Sequence, residues 1–142
     1  GSFALDIKVP FPSSVIYGID NSFENLKKAK EIGLIDFVIS FNDLHKMDLI
    51  LVAVPVNHSL SLIPKVLDLV NSNALVFDVG STKEAICTLL NNHPKRGNYL
   101  AAHPMAGTEF SGPEAAQKGL YVGKTNIICE FEKTNEFYCL VT

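Results

Sequence analysis

Leu49-Ile50-Leu51-Val52-Ala53-Val54 is an unbroken apolar run that Pro55 ends. A strand with one face in water alternates apolar and polar residues. An unbroken run bounded by a proline instead fits a strand covered on both faces, as in a parallel sheet. After it the period changes: Leu62, Ile63, Val66, Leu67 and Val70 recur at helical spacing until Asn71-Ser72-Asn73. A second apolar run, Ala74-Leu75-Val76-Phe77-Asp78, follows, and Gly80-Ser81-Thr82 turns the chain into a helix bearing Ile86, Leu89 and Leu90. Tyr99-Leu100-Ala101-Ala102 is the next strand and leads straight into His103-Pro104. Strands alternating with helices predict an α/β fold with a parallel sheet and right-handed crossovers.

The flanks continue the pattern. Residues 3–8 read as the inside of a helix, which Pro10 and Pro12 break. Residues 15–20 read as a short strand ending on Asp20. Asn21 and Ser22 are both N-cap types, and Glu24 three residues after Asn21 suggests a capping box. The helix they open runs to about Ile32, with Gly33 past its end. Phe37-Val38-Ile39 is a weak strand. Beyond His103 come a glycine-containing loop, a short helix around residues 112–118, and a strand over residues 126–129. No internal repeat or low-complexity linker interrupts the chain.

Composition narrows the function. The 142 residues are 47% hydrophobic and 19% charged, enough for one ordinary globular domain. A net charge of −3 without a Lys/Arg cluster argues against nucleic-acid or anionic-membrane surfaces. Lys95-Arg96 is the nearest thing to a basic patch and is expected to be solvated. No apolar run reaches the length of a membrane span. Cys87, Cys129 and Cys139 have no metal-ligand spacing, so no metal is expected, and free buried thiols in the cytoplasm are. The chain opens on Gly1 with no secretory signal before it.

Ligands of open parallel sheets sit beyond the carboxyl ends of the strands. Here those ends carry Asp20, then Val54-Pro55 with Asn57, then Gly80-Ser81-Thr82, then His103, and all are expected to face one crevice. Asp20 has two readings. Its carboxylate can accept both hydroxyls of an adenosine ribose, favouring NAD over NADP, or it can cap the following helix. The glycine-rich fingerprint of a dinucleotide site precedes such an acid by about 20 residues, which makes Gly1 a candidate for the end of that turn. His103 can take a proton from a substrate hydroxyl as hydride leaves the same carbon, and Ser81 can orient its imidazole. His45, His58 and His93 lie in polar helix-edge or loop settings and are expected to be structural or solvated. A Ser–His hydrolase is disfavoured, because Ser81 lies in Val79-Gly80-Ser81-Thr82-Lys83 rather than in a G-x-S-x-G elbow and no third member orients His103. Glu109 is either a second proton-handling group or a loop carboxylate.

Residues 76–83 (VFDVGSTK) and 103–109 (HPMAGTE), continuing to Ser111-Gly112, resemble the two signature stretches of the prephenate dehydrogenases of tyrosine biosynthesis. Gly1-Ser2-Phe3-Ala4 resembles the segment just after that family's glycine-rich turn. The resemblance implies a Rossmann-like, doubly wound, mostly parallel sheet that lacks its first strand and the C-terminal helical domain. It implies NAD(P)-dependent oxidative decarboxylation of prephenate, or of arogenate. His103 would accept the proton, with Ser81 beside it. Glu109 would stand near the substrate entrance, with Gly107 and Thr108 in the wall. Gly1, Asp20, Val54, Pro55 and Ser81 would line the cofactor.

Residues 1–130 are then expected to be an incomplete cofactor-binding domain, and residues 131–142 the start of a connection. A helical domain beyond would supply the homodimer contacts and an arginine for the substrate carboxylate. Without the first strand, two apolar strand edges would be exposed. The chain alone is expected to be poorly stable and inactive. Two other readings stand: a dehydrogenase of a β-hydroxy acid on the same fold, and a catalytically silent nucleotide-binding module.

Overall fold

The structure is a computed structural model that describes residues 1–107 and 110–135. They divide into two units, Gly1–Phe41 with Met105–Thr125, and Asn42–Pro104 with the residues after 125.

The first unit contains α1 (Ser2–Ile7), β1 (Tyr17–Gly18), α2 (Phe23–Glu31) and β2 (Phe37–Val38). β1 and β2 pair in parallel with Tyr17 opposite Phe37, and the two rings stack at 5.8 Å. Ser22, not Asn21, is the N-cap of α2, because its hydroxyl accepts the Asn25 N–H at 3.2 Å. α2 closes as its sequence predicts. Ile32 is its C-cap, and Gly33 takes a φ of +75°, which a residue without a Cβ adopts freely.

Polar contacts hold this unit together. Asp36 accepts the Ile16 N–H at 2.7 Å and the Lys8 ammonium at 2.9 Å. The backbone bond first, and Lys8 second, hold its carboxyl below the usual range. Asp6 accepts the N–H groups of Gly119 and Tyr121 at 2.5 and 3.2 Å, clamping α1 to that loop. Leu34 is the one fully buried apolar side chain among the described residues of the unit, while Phe23, Phe37 and Val38 are exposed. Burial of a large apolar side chain contributes about 1.5–3 kcal/mol, so the hydrophobic term here is small. The helix expected around residues 112–118 is only a 3-10 turn, Pro113–Ala115.

The second unit contains β3 (Leu49–Val52), α3 (Val56–Leu69), β4 (Leu75–Asp78), α4 (Glu84–Leu90), β5 (Tyr99–Pro104) and β6 (Asn126–Cys129). They form one sheet in the order β3-β4-β5-β6, with β3, β4 and β5 parallel and β6 antiparallel to β5. Every residue of β4 is buried, as the apolar run predicts for a strand covered on both faces. α3 turns Ile63, Val66 and Leu67 inward, and Val70, its C-cap, is also buried. This parallel-dominated α/β arrangement is the predicted Rossmann-like class.

Three details differ from the sequence reading. In α4, Cys87 is buried beside Ile86 and Leu90, while Leu89 is 54% exposed, so the apolar face is rotated from the expected one. β5 does not stop at Ala102. It runs through His103 and Pro104, because β6 pairs with both. Arg96 is buried rather than solvated: it donates to the Tyr99 carbonyl and to Glu130, each at 2.9 Å, and lies over the Tyr99 ring. Lys95 likewise donates to the Val70 carbonyl at 2.5 Å. Downstream of β6, Thr134 is buried and its hydroxyl donates to the Tyr99 carbonyl, so the chain packs back on the start of β5.

Candidate active site

The register sets three strand ends level. Val52 lies opposite Asp78, and Asp78 opposite Ala101. Beyond these partners β3 continues into Val54-Pro55, β4 into Gly80-Ser81, and β5 into His103. The three are therefore carried by neighbouring strands of one sheet, at the edge where open parallel sheets bind ligands. Pro55 also caps the N-terminus of α3, and Ser81 is exposed. Side chains alternate along a strand, so Tyr99, Ala101 and His103 share a face with Val76 and Asp78.

His103 is half-buried, and its Nδ1 is shut off from solvent without a hydrogen-bond partner among the described residues. Leaving such an atom unpaired costs about 1–3 kcal/mol. Of the other histidines, His58 is exposed, and His45 and His93 have local partners. His45 Nδ1 lies 2.7 Å from the Asn42 carbonyl, and His93 accepts the Lys95 N–H and sits 3.3 Å from Asp68.

Under the Ser81 turn lies a buried polar cluster. Asp78 accepts the Gly80 N–H at 3.0 Å and the Lys83 ammonium at 2.5 Å on one oxygen. Its other oxygen accepts the Tyr99 hydroxyl at 2.6 Å. Burial first, and then the Asp78 carboxylate, raise the Tyr99 pKa, so its hydroxyl stays a donor. A Cβ at Gly80 would lie 2.9 Å from Asp78 Oδ2 and 3.2 Å from Val56, which is why a glycine stands there. No role was read for Asp78 or Tyr99 from sequence. The available signal was an acid closing an otherwise apolar buried strand, followed five residues later by Lys83.

The remaining candidates belong to the first unit. Asp20 is exposed just beyond β1 and accepts the Ser22 N–H at 2.7 Å through one oxygen. Gly1 packs tightly, since a Cβ on it would lie 2.8 Å from that of Ala116. Gly107 is exposed with open space around it, so packing does not demand a glycine there. Thr108, Glu109 and Cys139 lie outside the described residues. Cys87 and Cys129 are free, and Cys129 is only half-buried. Burial above all pushes the Cys87 thiol up to about 11. Among the described residues no cluster of His, Cys, Asp or Glu could hold a metal, and no helix is long and apolar enough to cross a membrane.

A family model described as prephenate dehydrogenase, nucleotide-binding domain, matches residues 3–140. The chain belongs to this family. It is 32% identical over 140 residues to the prephenate dehydrogenase of Bacillus subtilis (strain 168), covering 96% of this chain and 38% of that protein. It is 31% identical over 134 residues to that of Lactococcus lactis subsp. cremoris (strain MG1363), covering 91% of this chain and 37% of the relative. The chain thus spans well under half the length of these relatives. The crystal structure of prephenate dehydrogenase from A. aeolicus, in complex with hydroxyphenyl propionate and NAD+, superposes with a TM-score of 0.87 at 29% identity. It covers 99% of this chain and 50% of that one. Membership in this family agrees with the reading of residues 76–83 and 103–109 as signature stretches.

Proposed function

We propose that this domain serves an NAD-dependent dehydrogenase that converts prephenate to 4-hydroxyphenylpyruvate in tyrosine biosynthesis, with arogenate as the alternative substrate. The observation that carries the reading is His103, near the end of β5, the strand paired with β4, whose turn bears Ser81; its buried Nδ1 has no hydrogen-bond partner among the described residues. Family membership supplies the reaction class. The A. aeolicus relative, held with a hydroxyphenyl acid and NAD+, supports the ligand classes.

The residues present fit the cofactor. Asp20 is an exposed strand-end carboxylate able to take a ribose hydroxyl, and its position favours NAD over NADP. Val54, Pro55 and Ser81 stand at strand ends where a dinucleotide lies in this fold class, and Gly1 ends the candidate turn. NAD supplies the acceptor for the hydride that leaves the ring carbon bearing the 4-hydroxyl. His103 takes the hydroxyl proton as its oxygen becomes a carbonyl, and Ser81 orients the imidazole. Carbon dioxide departs with its bonding electrons left in the ring, which becomes aromatic as the carbonyl oxygen takes a proton back and is again a hydroxyl. Glu109, Thr108 and Gly107 are assigned to the substrate side.

We assign residues 1–130 to the cofactor domain and residues 131–142 to its connection with a helical domain that completes a cytoplasmic homodimer. The test is the protein expressed from its full coding sequence, assayed with NAD and prephenate or arogenate. Turnover should fall by about 10²–10⁴-fold in His103→Asn, while NAD binding is retained. Full activity in that variant overturns the reading. Turnover of a β-hydroxy acid instead, or NAD binding without any turnover, would favour the sister dehydrogenase or a silent module.

A further inference from the structure

We propose that Asp78 is a positioning residue: its buried carboxylate locks the Ser81 turn to β5, the strand that carries His103. This rests on the reading of His103 and Ser81 as the proton-handling pair. The reach of the carboxylate carries the inference. On one side it grips the turn at two points, the Gly80 N–H at 3.0 Å and the Lys83 ammonium at 2.5 Å, and Ser81 lies between them in sequence. On the other it receives the Tyr99 hydroxyl at 2.6 Å, from the strand that carries His103 four residues later. Asp78 and Lys83 are both nearly inaccessible, so water does not compete for these bonds.

Asp78 and Tyr99 are not opposite partners in the ladder. Tyr99 pairs with Val76, and Asp78 with Ala101. The side-chain bond therefore runs diagonally across the two strands and adds a constraint that the backbone ladder does not supply. Catalytic pairs are sensitive to such constraints, since a misplacement of about 1 Å can cost about a hundredfold in rate. A buried ion pair is also weak evidence of a purely stabilising role, because desolvation offsets most of its attraction. Lys83 acts through Asp78: it fixes the far end of the turn and neutralises the carboxylate, so that Tyr99 donates to a charged but compensated acceptor.

The experiment uses the enzyme expressed from its full coding sequence and substrate deuterated at the carbon that loses hydride. Tyr99→Phe removes one hydroxyl without changing the packing. Its kcat should fall on the order of tenfold while KM for NAD stays within about twofold, at a temperature where circular dichroism shows it folded. The deuterium isotope effect on kcat should rise, because a mispositioned pair slows the chemical step. Lys83→Arg keeps the charge but changes the donor geometry, and it should show the same split. It also stands in if Tyr99→Phe does not fold. A lowered melting temperature with wild-type kcat and isotope effect in both variants marks a merely structural cluster and overturns the inference. If His103→Asn loses turnover while Tyr99→Phe is unaffected, only this inference fails. If His103→Asn keeps turnover, the catalytic reading fails and this inference with it.

Discussion

Replacing Lys83 by Met tests the buried cluster through stability rather than rate. Lys83 and Asp78 have side chains 6% and 3% exposed, and their charged atoms meet at 2.5 Å. Lys83→Met keeps the aliphatic volume but leaves the Asp78 carboxylate with only the Gly80 N–H and the Tyr99 hydroxyl. Removing one partner of a buried pair typically costs about 3–5 kcal/mol, because the stranded charge keeps its desolvation penalty. Asp78→Asn strands the ammonium instead and should cost a similar amount.

The double variant strands no charge and should lose only hydrogen-bond energy, about 1–3 kcal/mol. The cycle should therefore show a coupling of about 6 kcal/mol. The chain contains no tryptophan, so urea unfolding is followed by far-ultraviolet circular dichroism. A loss of 3 kcal/mol moves the midpoint down by about 1–3 M urea. The discriminating result is rank order, with the double variant more stable than either single one. Additive losses, or a Lys83→Met cost below about 1 kcal/mol, would show that the ammonium is effectively solvated and would refute the reasoning.

Three further outcomes follow from the same geometry. Gly80→Ala forces a methyl to within 2.9 Å of a carboxylate that three donors pin in place, so it should destabilise the chain by about 1–3 kcal/mol in the same melts. Native-state hydrogen exchange should find β4 and β5 slowest, and β1 and β2 faster by about a hundredfold, because the first unit has so little apolar burial; equal protection would contradict this. Asp36 has a folded pKa depressed by the Ile16 N–H and then by Lys8, so its stabilisation is present above the unfolded value and lost as pH falls through the folded one. Protection of β1 and β2 against exchange, relative to the intrinsic rate at each pH, should fall below about pH 4, and Asp36→Asn should flatten that acid limb.

The parts of the fold legible in sequence were those decided by local apolar pattern. Strand β4, buried throughout, and the inward stripe of α3 follow from runs and spacings that few other structures satisfy, whereas β3, expected to be covered on both faces, lies at the end of the described sheet and buries only Ile50 and Val52. The position of β6 was legible, but its antiparallel direction was not, since an apolar run carries no sign. The end of β5 was misplaced at Ala102 for the same reason. Only a neighbouring strand decides whether His103 joins a ladder. Arg96 looked like a solvated loop charge because its partners, Glu130 and the Tyr99 ring, depend on tertiary approach.

Sequence alone determined the α/β class, the placing of Pro55, Ser81 and His103 close to the carboxyl ends of their strands, and the family to which the signature stretches belong. These depend on which residues are adjacent in the chain and on side-chain chemistry that does not change on folding. Tertiary structure alone decided that His103 has a buried Nδ1 with no partner among the described residues, and that Asp78 binds both the Ser81 turn and Tyr99. The physical reason is distance. Desolvation and hydrogen bonding act over a few ångströms in space, and Asp78 and Tyr99 are brought that close only when β4 and β5 pair.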